Sequence, residues 1–181
     1  MVLAGSSFVY VNVLGTSRLA YGFILASNSG AYILGTVYCR RLLLRHGVRG
    51  AVRRGSLYSL AGGLSVAGIS LLGIHNVWAV MLPLWLFAFG HGVHHPCGQT
   101  AVIGPFPSKA GTAASLSGFA MMVTAFGVGQ VLGRTLGASV YPLTLGVGGF
   151  SVALFIVANT LVQRHGEPAV ARGPELQRSA A

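Results

Sequence analysis

Negative charge is almost missing from this sequence. Glu167 and Glu175 are its only carboxylate side chains, and both lie close to the C-terminus. No acid therefore stands inside an apolar run, either to take up and release a proton there or to back a histidine as a metal ligand. Charge of either sign is scarce, at 8% of residues against about 25% in an ordinary soluble domain. That excludes a soluble globular protein and points to a membrane protein. The net charge of +10 does not make nucleic acid a partner, because the basic residues interrupt long uncharged runs instead of sharing one soluble face. Cysteine is nearly absent too. Cys39 and Cys97 sit far apart in separate apolar runs, which gives neither a disulfide framework nor a CxxC metal site.

What is present is a series of apolar segments. Residues 1–14 are apolar but shorter than the roughly 20 residues that a spanning helix needs. No basic region precedes them and no small-residue cleavage site follows, so they read as a partial transmembrane helix and not as a signal peptide. Leu19–Cys39 gives 21 uncharged residues between Arg18 and Arg40, a first full span. The next stretch holds Arg40, Arg41, Arg45, Arg49, Arg53 and Arg54 and reads as a loop, cytoplasmic by the positive-inside rule. Gly55–Ser108 carries no charge and holds two spans. The turn between them is expected at Gly73-Ile74-His75-Asn76, with Trp78 as an interfacial anchor. Ala110–Gly133 and Pro142–Val162 supply two more.

The expected organisation is thus a partial helix over 1–14, a five-span bundle over 15–165 and a disordered cytoplasmic tail over 166–181. Lys and Arg fall on the tail's side except for Arg18 and Arg134. With five spans ending inside, the partial helix must begin within the bilayer, so the chain reads as the end of a longer protein.

Polar residues within the spans are the candidate functional groups, since lipid tolerates them only where they face a bundle, a cavity or each other. His91, His94 and His95, at i, i+3 and i+4, share one helical face. That spacing suits a metal, a cavity wall or helix–helix hydrogen bonding, with cavity lining favoured. Gln99 follows on the same span, and Pro83 and Pro96 bracket the histidines with helix kinks. Asn28, in the first span, reads equally as a substrate contact or an interhelical hydrogen bond. Met121 and Met122 offer an adaptable wall or simple filler. Small residues spaced by four, Ser27/Ala31/Gly35, Ser59/Gly63/Ala67 and Gly129/Gly133/Gly137, predict close helix packing.

Several blocks also carry a family resemblance. They are Ser6-Ser7-Phe8-Val9-Tyr10-Val11, Tyr21-Gly22-Phe23 with Asn28, Gly35 with Arg40-Arg41 and Arg45-His46-Gly47, and above all Pro96 followed by Gly104-Pro105-Phe106-Pro107 and Ala110-Gly111-Thr112-Ala113-Ala114-Ser115-Leu116. Together they resemble the C-terminal half of a major facilitator superfamily transporter of the Bcr/CflA drug:proton antiporter branch. The resemblance implies an all-α, polytopic transmembrane bundle: the C-terminal six-helix half of that fold, with its first helix incomplete. It implies a multi-pass protein of the bacterial inner membrane with a cytoplasmic C-terminus, not an enzyme and without a cofactor.

The implied partners are a small organic substrate or drug, protons, the lipid bilayer and the missing N-terminal half. The substrate would lie between the halves near the midplane, with Asn28, His91, His94, His95 and Gln99 in the wall. Lacking one half, the chain alone is expected to be inactive. The histidines depart from the family, which has mainly apolar residues there. A second reading is a complete small membrane protein that binds a metal or a partner subunit through the His91/His94/His95 face.

Overall fold

A computed structural model describes residues 2–135 and 139–165, and every regular element in them is helical. Helix α1 (Val2–Ser7) continues into a π-helix at Phe8–Val13. The chain then breaks at Gly15, whose φ of 65° suits a residue without a Cβ. Ser17 caps the next helix, its hydroxyl accepting from the Ala20 amide at 3.2 Å. The remaining helices are α2 (Arg18–Leu71), α3 (Val77–Ile103), α4 (Ala110–Thr135) and α5 (Tyr141–His165), with a short 3-10 turn at Pro107–Lys109. The expected tail, residues 166–181, and Gly137 of the third small-residue ladder lie outside the described residues.

The main departure from expectation is the arginine-rich stretch. It is no extended loop: two helical limbs of α2 meet there at a kink at Gly47, with φ 64° and ψ −174°. Arginine and leucine are good helix formers, so both sides of the bend keep their helical bonds and one glycine makes the turn. The bend divides α2 into a first limb, residues 18–46, and a second limb, residues 48–71. Elsewhere the sequence signals correspond to the observed boundaries. The α2–α3 turn contains Gly73 at φ 75°, and Asn76 caps α3 by accepting from the Ala79 amide at 2.8 Å.

Helix α3 lies against both limbs of α2, and the contacts are made by backbone. A methyl group at Gly35 of the first limb would overlap the Phe89 carbonyl, and one at Gly92 would overlap the Tyr32 carbonyl. On the second limb, Gly55 meets Val93 and the His94 amide, Gly62 meets Phe87 and the Pro83 carbonyl, and Gly90 of α3 meets Ser59. In lipid the apolar effect does not drive helices together, so close packing and buried hydrogen bonds must do it. Helix α5 then docks on the second limb, where Gly63 meets Ser151 and Gly148 meets Ala67. The Thr144 hydroxyl donates to Ser70 at 3.0 Å across the same seam. Two of the three expected ladders therefore contribute to packing. In the third, Gly129 and Gly133 have nothing near a would-be Cβ, because α4 stands at the periphery.

Three helices are long and apolar enough to cross a membrane: Val77–Ile103, Pro107–Thr135 and Tyr141–Arg164. The limbs of α2 fall outside that set. Asn28, the neighbouring serines and the arginines around the bend dilute their hydropathy. Burial inside the protein is 50% of the apolar window in α3, but 6% in the segment that includes α4. Helix α4 therefore shows nearly all of its surface to lipid or to another body. Contacts also fix which groups share an end. Gln163 near the end of α5 donates to the Arg49 carbonyl at 3.2 Å, and Cys39 meets Cys97. The bend, the end of α3 and the end of α5 thus lie together with Lys109 and Arg164, while Arg18 starts α2 at the opposite end.

Replacing Gly35 or Gly92 by Ala should force the first limb away from α3 and cost about 1–3 kcal/mol by overpacking. The same change at Gly22 or Gly30, where nothing lies within 4 Å, should change little. Thermal unfolding in detergent, followed by size-exclusion chromatography, reads the difference.

Candidate functional site

The histidines of α3 form a short polar strip that divides between the two limbs of α2. His94 is buried and points to the second limb, where Nε2 lies 3.2 Å from the Ser59 hydroxyl. His91 and His95 are half-buried and turn toward the first limb. Tyr32 meets them there, its hydroxyl 3.3 Å from His95 Nδ1 and its ring 5.8 Å from the His91 ring. His91 lies in the middle of the group, 5.1 Å from His94 and 4.9 Å from His95 between ring centroids. Phe87, one turn earlier, lies parallel to it at 6.3 Å and closes that side with apolar surface.

The strip exists because α3 carries glycine between and beside the histidines. Gly92 lets the first limb approach closely enough for Tyr32 to reach His95, and Gly90 does the same for Ser59 and His94. Thr36 adds a bond across this crossing, donating to the Gly92 carbonyl at 3.3 Å. The result is a hydrogen-bonding strip with aromatic walls. Among the described residues, no three His, Cys, Asp or Glu side chains are grouped to hold a metal.

The other two expected residues lie apart from this strip. Gln99, two turns after His91 along α3, is half-buried and its amide meets Met121 of α4 at 3.2 Å. It marks the side of α3 that faces α4. Asn28 lies one turn before Tyr32 on the first limb. It borders a small pocket with Ser6, Tyr10, Met81, Leu84 and Trp85 that has room for about one water. The Trp85 indole there donates to Ser27 at 3.0 Å. Asn28 and the histidines thus sit on the same pair of helices without meeting in one cavity.

Two residues matter more than the sequence indicates. Tyr32 is the partner of both half-buried histidines, and its i, i+4 relation to Asn28 was the available signal. Tyr10 has a buried hydroxyl without a hydrogen-bond partner among the described residues, beside the Asn28 pocket. It lies in the π-helix, a distortion that often accompanies functional positions. Its partial-helix location hid it. Cys39 and Cys97, remote in sequence, are also brought together.

Comparison with known proteins gives a part-length similarity. A stretch of 46 residues, 25% of this chain, is 44% identical to multidrug resistance protein D of Escherichia coli (strain K12). The match spans 12% of that protein's length. No family model matches, and no solved structure matches. With its apolar helices, the similarity supports a multi-pass membrane protein of transporter type.

The division of the histidines is open to test by stability. Ser59→Ala should leave the buried His94 nitrogen without its partner and cost about 1–3 kcal/mol. Tyr32→Phe, at a half-buried contact, should cost less than about 1 kcal/mol by the usual net worth of one hydrogen bond. Urea or thermal unfolding of the detergent-solubilised chain checks the order.

Proposed function

We propose that this chain is the C-terminal bundle of a major facilitator transporter that exports small organic compounds in exchange for protons. The observation that carries the reading is the 44% identity over 46 residues to a multidrug resistance protein. The aromatic and histidine strip on α3 supports it, since its imidazoles and the Tyr32 hydroxyl offer hydrogen bonds to an organic molecule. In this reading both limbs of α2 cross the bilayer beside α3, α4 and α5. The arginine-rich bend then lies on the cytoplasmic face of the bacterial inner membrane, together with the C-terminus.

The wall of the path is made by His91, His95 and Tyr32, with Asn28 and Gln99 above and below, while His94 holds α3 to the second limb. Substrate would sit between this bundle and an N-terminal half, and one half would rock against the other. The described helices contain no carboxylate, so the proton is carried by a histidine or, as we favour, by an acid on the N-terminal half.

The test is export of a fluorescent dye from cells. The chain joined to an N-terminal six-helix half should export dye, and a protonophore should stop it. Tyr32→Phe or His95→Ala in the joined protein should lower export several-fold at unchanged membrane abundance. Dye export by the 181-residue chain expressed by itself would contradict the half-transporter reading.

A further inference from the structure

Cys39 and Cys97, the chain's two cysteines, are set face to face by the fold. Cys39 lies one turn beyond Gly35 on the first limb of α2, and Cys97 lies just beyond Gly92 on α3. The thiols therefore flank the tightest backbone contact between these helices. Their Sγ atoms are 3.6 Å apart and both side chains are buried. Cys97 Sγ also rests 3.7 Å from the Val93 carbonyl. Around them pack Leu42, Ala51, Val52, Val93 and Ala158, so the two thiols share one apolar cluster. Neither cysteine has a part in the histidine strip or in the proposed transport path.

We propose that Cys39 and Cys97 form a dithiol modification site, which thiol oxidants of the azodicarboxamide class close into an intrachain disulfide bridging α2 and α3. One thiol, as its thiolate, adds to the azo nitrogen. The second thiolate then attacks that sulfur, the S–S bond forms, and the S–N bond breaks. Both electrons and both thiol protons leave on the hydrazine product, so the azo compound is reduced as the thiols are oxidised. The sulfurs must close by about 1.5 Å to reach the disulfide length of about 2.05 Å. The glycine contact at Gly35 and Gly92 holds the two backbones together meanwhile. A bridge here ties the first limb of α2 to the part of α3 directly after Pro96, and so restrains any bending of α3 at that proline.

The experiment treats the full chain in detergent with diamide, then denatures it, alkylates free thiols with a maleimide and measures intact mass. The expected product is a monomer on a non-reducing gel that has lost two hydrogens, takes up no maleimide and is restored by dithiothreitol. Cys39→Ser and Cys97→Ser should each remain monomeric and keep one alkylatable thiol. A second probe, phenylarsine oxide, bridges two neighbouring thiols with loss of water. It should add once, stably, to the unmodified chain and to neither single variant. Retention of two alkylatable thiols after diamide, or disulfide-linked dimers as the main product, would overturn the proposal.

Discussion

Contact between glycine and backbone at the crossings of α2 and α3 is the constraint on which the rest of this structure depends. In lipid, removing apolar side chains from the surroundings gains little, because the surroundings are apolar too. Helices associate where they can come close enough for dispersion and buried hydrogen bonds to add up, and a side chain at the contact prevents that. Gly35 and Gly92 at one crossing, with Gly55, Gly62 and Gly90 at the other, let both limbs of α2 close on α3. The polar groups that meet there, Tyr32 with His95 and Ser59 with His94, find partners only because the backbones are already in contact.

That packing also explains how polar residues survive in the interior. Buried serine and threonine hydroxyls bond either to a carbonyl one turn back, as Ser151 does to Gly148 at 2.6 Å, or across a seam, as Thr144 does to Ser70. A hydroxyl that spends its bond locally leaves its helix free to pack. One that bonds across a seam fixes the register of two helices. His94 belongs to the second kind, and His91 and His95 keep more of their surface available. Three neighbouring residues of one type thus have two kinds of surroundings, according to which limb of α2 each one faces.

Much of this arrangement was legible in the sequence. The helical, apolar character, the turn at Gly73 to Asn76, the break before Lys109 and two small-residue ladders all have local chemical causes that a single chain displays. The arginine-rich stretch misled because charge density reads as a loop, whereas arginine and leucine propagate a helix and one glycine suffices to turn it. Tyr32 was hidden inside an apolar run where an aromatic residue is unremarked, and its importance comes only from what α3 places opposite it. The meeting of Cys39 and Cys97 is likewise set by the crossing of two helices and not by anything near either residue. Gly129 and Gly133 show the converse: a local packing signal on a helix that these described neighbours do not use.

The fold at Gly47 has a further implication for how this chain can change over evolutionary time. A flexible loop absorbs added or lost residues, but a hinge of one residue between two continuous helices transmits them. One residue inserted between the bend and Gly55 would rotate the second limb by about 100°. Gly55, Ser59 and Gly62 would then turn off α3 while the first limb stayed in place. Length in this basic segment therefore sets which glycines of the second limb meet α3.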